Sequence, residues 1–189
     1  MQAEKFYQEA VKEGVCIELV TQENWSLAFE KLSQIEKNQL LWQNFTANVG
    51  EIFLVVNFQG DLKKVFLGVQ EKRYFLAIAN AANKLPAGHY YFNQELNSYD
   101  LMAWGMAQYK FARYKKIEAP IKVLNLDKKL FARVMPLVEA IFKVRDLINT
   151  PAEDMGPEDL SMVLESLAQR YQGQFSSIIG DDLLAQNFP

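Results

Sequence analysis

Val-Arg-Asp-Leu-Ile-Asn-Thr-Pro-Ala-Glu-Asp-Met-Gly-Pro-Glu-Asp-Leu, residues 144–160, decides how this chain is divided. Thr150 precedes Pro151, and a residue before proline is driven out of the α region, so a helix arriving at Asn149 must stop there. Gly156 then stands as a cap and Pro157 as the first residue of a new helix, with Glu158 and Asp159 at the positive end of its dipole. Everything N-terminal to this turn reads as one α/β domain, and the residues that follow are too few for another.

The helix that arrives at the turn is long. Asp127 caps it, and Leu130, Val134, Leu137, Ile141, Val144 and Ile148 repeat at gaps of four and three, a helical stripe over about five turns. Pro136 inside it predicts a kink or a fresh start. In the helix that leaves the turn, Leu160, Val163, Leu164, Leu167 and Tyr171 form the expected buried face. Gly173 ends that helix, Phe175–Ile179 reads as a strand, and Asp181 or Asp182 caps a last helical turn before Asn187-Phe188-Pro189.

Working back to the N-terminus, residues 2–13 read as a short polar helix with Phe6, Ala10 and Val11 inward, ended by Gly14. Val15–Val20 is short and β-branched, as a strand covered on both faces should be. A helix capped by Asn24 starts at Trp25, with Leu27, Ala28, Leu32 and Ile35 inward; after a break near Ser33 the pattern continues through Leu40, Leu41, Asn44 and Phe45. Ile52–Phe58 and Lys63–Val69, joined by Gln59-Gly60-Asp61, read as a hairpin. Tyr74–Leu85 is a helix and His89–Phe92 a strand. Ser98 caps a further helix whose stripe is Leu101, Trp104, Ala107 or Gln108, Phe111 and Tyr114, with Lys110, Arg113, Lys115 and Lys116 at its negative end. Gly105 costs that helix roughly 1 kcal/mol against alanine, which close packing on the sheet would explain. Ile121–Leu126 is another strand. Five or six strands interleaved with helices, one hairpin among them, predict an α/β fold with a mixed β-sheet flanked by helices.

Half of the residues are apolar and 23% are charged, a globular balance with no low-complexity tract. A net charge of −3 gives no electrostatic pull on nucleic acid. Lys63-Lys64 and Lys115-Lys116 are small basic pairs without a stripe of stacking aromatics around them, so no nucleic-acid partner is expected. One cysteine, Cys16, excludes an internal disulfide and fits a reducing compartment; a signal-peptide pattern and an apolar run of membrane-spanning length are both lacking, so the expectation is a cytoplasmic protein with no membrane partner.

Candidate chemistry reduces to a few side chains, each with a structural reading. His89 is the single histidine, within an aromatic strand and without an identifiable triad partner, and reads as a structural or edge-strand residue. Cys16 in a β-branched run reads as a small buried core residue. Glu153, Asp154, Glu158 and Asp159, and again Asp181 and Asp182, sit before or in first turns of helices, where capping explains them. Trp25, Trp42 and Trp104 occupy apolar helical positions and are expected in the core. No two glycines are spaced to cradle a phosphate, and no His/Cys/Asp spacing suggests a metal. No catalytic, cofactor-binding or metal residue is assigned.

Arg145-Asp146-Leu147-Ile148-Asn149-Thr150-Pro151, followed by Glu153-Asp154-Met155-Gly156-Pro157-Glu158-Asp159-Leu160, resembles the junction segment of the leucyl (cytosol) aminopeptidases. That family carries Arg-Asp-Leu-Val-Asn-Thr-Pro and then Asn-Asp-Leu/Met-Thr-Pro before an acidic helix; Gly156 replaces its threonine or serine cap. Tyr109-Lys110-Phe111-Ala112-Arg113-Tyr114-Lys115-Lys116 is similar to the family's Tyr-x-Phe-x-x-Tyr-Lys helix. The resemblance implies a macro-domain-like N-terminal domain over residues 1–126, a linking helix over 127–150 and the start of the catalytic domain over 151–189. It implies two divalent metals (zinc, manganese or magnesium) bound by a lysine, three aspartates and a glutamate around an Asn-Thr-Asp-Ala-Glu-Gly-Arg-Leu signature. Residues 1–189 do not contain that signature, so the ligands are expected in the missing catalytic domain, and this fragment alone is expected to be inactive. The implied partners are that catalytic domain, copies of the chain in a hexamer, and the peptide whose N-terminal residue the parent enzyme removes. A different reading stays open: an autonomous macro-like module binding a nucleotide, ADP-ribose or a partner protein.

Overall fold

Among the described residues six strands form one sheet, and alternation along each strand sets which of its side chains face a core. A computed structural model describes residues 3–188 and divides into two compact units, 1–143 and 144–189. In the first, β1 (Tyr7–Glu9), β2 (Val15–Val20), β3 (Ile52–Val56), β4 (Leu62–Gly68), β5 (Gly88–Phe92) and β6 (Lys122–Leu126) lie in the order β1-β6-β5-β2-β4-β3. Only β3 and β4 are antiparallel, as the predicted hairpin requires; β2 pairs in parallel with both β4 and β5. The α/β class and the mixed sheet are therefore those expected from the sequence.

Helices cover the sheet unequally. The larger core packs α3 (Phe75–Lys84), α4 (Ser98–Gln108) and the first part of α5 (Lys128–Asn149) on one face, against Ile17, Leu67, Tyr90 and Leu124. Trp104 is fully buried there, 5.6 Å from the Tyr90 ring. The second core, under α1 (Trp25–Glu30) and α2 (Gln34–Gln43), is aromatic: Trp25 meets Phe45 at 4.9 Å and Phe66 at 5.5 Å, and Phe53 stacks on Phe66 at 5.7 Å. The break near Ser33 is a capping box, with the Glu36 amide donating to Ser33 Oγ and the Ser33 amide to Glu36 Oε2.

Gly105 shows how tightly the larger core is closed. Tyr7 lies on β1, paired in parallel with Leu124 of β6, and its hydroxyl enters α4. The phenol donates to Leu101 O at 2.9 Å and accepts from Gly105 N at 2.7 Å, bridging the two groups that an undisturbed helix joins directly. A Cβ on Gly105 would stand 2.7 Å from Tyr7 Cε2 and 2.8 Å from its hydroxyl. Close packing on the sheet is thus the reason for the glycine.

Several expectations are corrected in this unit. The helix over residues 2–13 is instead a 3-10 turn at Ala3–Lys5 followed by β1; Gln2 lies outside the described residues. A three-residue strand is too short to declare a period, and its pairing with β6 outweighs local propensity. Val11 is exposed rather than inward. Asn24 does flank α1, but its side chain accepts from Thr21 N instead of capping the helix. The α4 cap is Asn97, which accepts from Asp100 N, not Ser98. That helix stops at Gln108 rather than near Tyr114, because the Gln108 amide turns back onto β6, accepting from Lys122 N and donating to Lys122 O. Phe111, Tyr114 and the four cations therefore follow the helix in irregular chain. Trp42 is 86% exposed: α2 turns Gln39, Leu40 and Gln43 to the sheet, which leaves Trp42 and Leu41 outward. Leu27 and Ile35 are exposed as well.

The long helix α5 runs from Lys128 to Asn149 with Pro136 inside it, and Asp127 Oδ1 caps it through Leu130 N. Its buried residues are Val134, Met135, Val138 and Phe142, whereas Leu137, Val144 and Ile148 of the predicted stripe are exposed. A four-three repeat has a 3.5-residue period and drifts around a 3.6-residue helix, so such a stripe leaves the packed face within a few turns.

In the second unit, Thr150 bonds back to Asp146 O through both its amide and its hydroxyl. Then α6 (Pro157–Arg170) starts at Pro157 with Gly156 as cap, the Gly156 amide donating to Asp159 Oδ2. Its expected buried face is not buried: Leu160, Leu164 and Tyr171 are exposed, and Val163 and Leu167 are half-buried. Residues 175–179 form no strand, since this unit offers none among its described residues to complete the backbone ladder. A last helix, α7 (Asp182–Ala185), follows Asp181, and Pro189 lies outside the described residues.

The Gly105 contact yields a prediction whose sign opposes helix propensity. Propensity alone makes Gly105→Ala stabilising by about 1 kcal/mol. The clash with Tyr7 reverses this, and urea unfolding is expected to show a destabilisation of about 1–3 kcal/mol. Tyr7→Phe, which removes the bridging hydroxyl, is expected to cost about 1–2 kcal/mol.

Candidate functional site

In an open α/β sheet the place to look is the carboxyl end of the parallel strands, where the chain switches from one side of a strand to the other. Here that strand is β2, with β4 on one side and β5 on the other. A crevice of about 420 Å³ opens there, lined by Thr21, Glu23, Asn24, Glu71, Tyr74 and Glu95 among others. A neighbouring crevice of about 430 Å³ shares Glu23 and Glu71 and adds Gln22, Asn48 and Gln70.

The chemistry of this end is acidic and largely satisfied. Neither crevice has a lysine or arginine in its wall. Gln94 spends its amide on the strand itself, accepting from Leu19 N at 3.3 Å and donating to Leu19 O at 3.0 Å. Thr21 and Asn24 bond each other through main chain and side chain. The loop beside them is held by Glu51, whose carboxylate accepts from the Thr46 and Asn48 amides and from both of their side chains. Slight burial pushes the Glu51 carboxyl up, but those bonds outweigh it and leave its pKa lowered. Phosphate oxygens brought here would meet three glutamates and no cation.

The side chains singled out in the sequence are scattered. His89 is exposed on β5, an internal strand rather than an edge, with Nδ1 3.4 Å from Asn125 Oδ1. Cys16 is half-exposed on β2 rather than buried; desolvation pushes its thiol up, against an opposing bond with Tyr91, so it is not primed as a thiolate. Lys64 pairs with Glu18 at 3.2 Å, Lys63 approaches Asp61 at 3.8 Å, and Lys116 pairs with Glu118 at 2.7 Å. Asp159 is engaged in capping, Glu158 shares its first turn, and Asp182 opens α7 behind Asp181. Among the described residues no group of three or more His, Cys, Asp or Glu comes together to hold a metal ion. The donors present thus do not fit the two-metal centre the resemblance implies. No helix among the described residues is long and apolar enough to cross a membrane. Sequence reasoning missed Lys122, which is nearly buried, although alternation along β6 puts it on the same face as Leu124 and Leu126.

Comparison with known proteins places this geometry. The family described as M17 aminopeptidase, N-terminal domain, matches residues 15–127. A probable cytosol aminopeptidase of Chlamydia muridarum (strain MoPn / Nigg) is 30% identical over 80 residues, covering 37% of this chain and 15% of that protein. The crystal structure of a cytosol aminopeptidase from Coxiella burnetii superposes with a TM-score of 0.87 at 27% identity, over 95% of this chain and 41% of that one. A tomato leucine aminopeptidase mutant shares the fold at a TM-score of 0.59 and 12% identity, over 88% of this chain and 42% of its own. The bottromycin maturation enzyme BotP, in a structure containing Mn, shares it at 0.59 and 16% identity, over 84% of this chain and 36% of its own. The chain spans less than half the length of each of these relatives.

Glu51 generates a prediction in pH. Its folded pKa lies below the ordinary 4.5, so its contribution is present above that value and is lost as pH falls through the folded pKa. Glu51→Gln is expected to lower stability at pH 7 by up to about 1 kcal/mol, the exposed site limiting the effect. In acid urea titrations the gap between variant and parent should close below the folded pKa of Glu51.

Proposed function

The chain belongs to the M17 aminopeptidase family through that family's N-terminal domain, and from this membership we propose that it is the non-catalytic N-terminal part of a two-metal leucyl aminopeptidase. The observation that carries the reading is the family match over residues 15–127. The likeness to the Coxiella burnetii cytosol aminopeptidase over 95% of the chain supports it. In this reading residues 1–126 are the N-terminal domain, 127–150 a linking helix and 151–189 the opening of the catalytic domain. The metals, the hydrolytic water and the peptide-binding groove belong to the remainder of the enzyme, which acts in the cytoplasm on the N-terminal residues of peptides and assembles as a hexamer. The exposed Leu160 and Leu164 of α6 suit a helix whose partners lie in that remainder.

The acidic crevices at the switch point favour this reading over a free-standing nucleotide-binding module. A phosphate site needs donors and positive charge, and these walls carry Glu23, Glu71 and Glu95 instead. The test is to assay the purified 189-residue chain with manganese against a leucine anilide, and to measure its melting temperature with and without ADP-ribose. The expected outcome is no turnover and no rise in melting temperature. Turnover that tracks the protein through purification would overturn the proposal of inactivity, and a saturable rise with ADP-ribose would favour the module.

A further inference from the structure

A third cavity, of about 320 Å³, lies at the opposite end of the larger core, between the end of α4, the irregular segment 109–121 and the start of β6. Its chemistry is the reverse of the switch-point crevices. Lys5, Lys110 and Lys122 line it, and no Asp or Glu does. Phe6, Ala107, Ile117 and Pro120 supply apolar wall.

Lys122 is the unusual member. The residue is only 6% exposed, and its main chain is clamped by Gln108 on N–H and O and by Trp104 Nε1 on O at 3.0 Å. That clamp fixes where the side chain leaves β6. The ammonium reaches Asn83 O at 3.4 Å, a long bond to a neutral acceptor. None of the three lysines forms an ion pair among the described residues. Burial, and then the charge of Lys110, push the Lys122 pKa down. A part-buried cation beside a second cation is held at a cost that an anion between them would relieve.

We propose that this cavity binds a small organic oxyanion, its carboxylate or phosphate group held by Lys122 and Lys110 and its body against Phe6, Ile117 and Pro120. The size suits a metabolite rather than a macromolecule. The proposal is independent of the peptidase reading, because its residues lie wholly in the first unit.

Isothermal titration calorimetry of the 189-residue chain with inorganic phosphate, and separately with acetate, at constant ionic strength tests it. Saturable binding of at least one is expected, and which one binds identifies the anion class. Lys110→Ala removes an exposed side chain and should weaken binding about tenfold. Lys122→Met keeps the volume and should abolish binding; circular dichroism confirms that it is folded. Absence of saturable binding to the parent chain, or equal affinity in the folded variants, would overturn the proposal.

Discussion

The Tyr7 hydroxyl, set between Leu101 O and Gly105 N, is the contact on which the larger core depends. It joins the first strand to a helix that begins more than ninety residues later. Burial pushes the phenol's pKa up, against the bond from Gly105, so the group remains a protonated donor while it also accepts. Such a bridge requires a glycine where the ring approaches α4, and requires β1 to lie beside β6 so that Tyr7 arrives in register with Leu124. With that edge docked, Trp104 can sit fully buried against Tyr90, and α5 can pack its Val134 and Val138 into the same core.

Elsewhere the sheet is finished by glutamine side chains. Gln39 and Gln43, one helical turn apart on α2, bond both N–H and O of Val56 and Leu54 along the outer strand β3. Gln94 does the same for Leu19 beyond the end of β5, and Gln108 for Lys122 at the start of β6. A primary amide presents donor and acceptor as a neighbouring strand would, so each glutamine stands in for one strand residue. An open strand edge invites pairing with another chain, and the α2 pair removes that hazard on β3.

Elements with a long or plain period were legible before the structure. The bounds of β2 and the start of α6, and to within two residues those of the β3–β4 hairpin, α3 and β5, follow from short β-branched or apolar runs, turn residues and proline, and the need for close packing at Gly105 was readable from its position on a helix. What escaped was tertiary in origin. No local signal marks Tyr7–Glu9 as a strand, because its cause is β6 more than a hundred residues away. The apolar rhythm through Phe111 and Tyr114 cannot reveal that Gln108 ends the helix by bonding β6. Trp42 and Leu27 are apolar without being buried. Of the sites, the lack of a glycine-rich phosphate loop was plain in the sequence, while the lysine-lined cavity needed the fold to bring Lys5, Lys110 and Lys122 together.

Family membership and surface chemistry together describe an M17 N-terminal domain whose switch-point end is acidic and largely satisfied, and the peptidase chemistry is proposed to lie in chain beyond it. The measurement that tests this most directly is to read the source gene past the codon for Pro189. An open frame continuing past that codon and carrying Asn-Thr-Asp-Ala-Glu-Gly-Arg-Leu with its lysine and acidic partners is expected. A stop codon directly after Pro189 would contradict it and leave a free-standing domain.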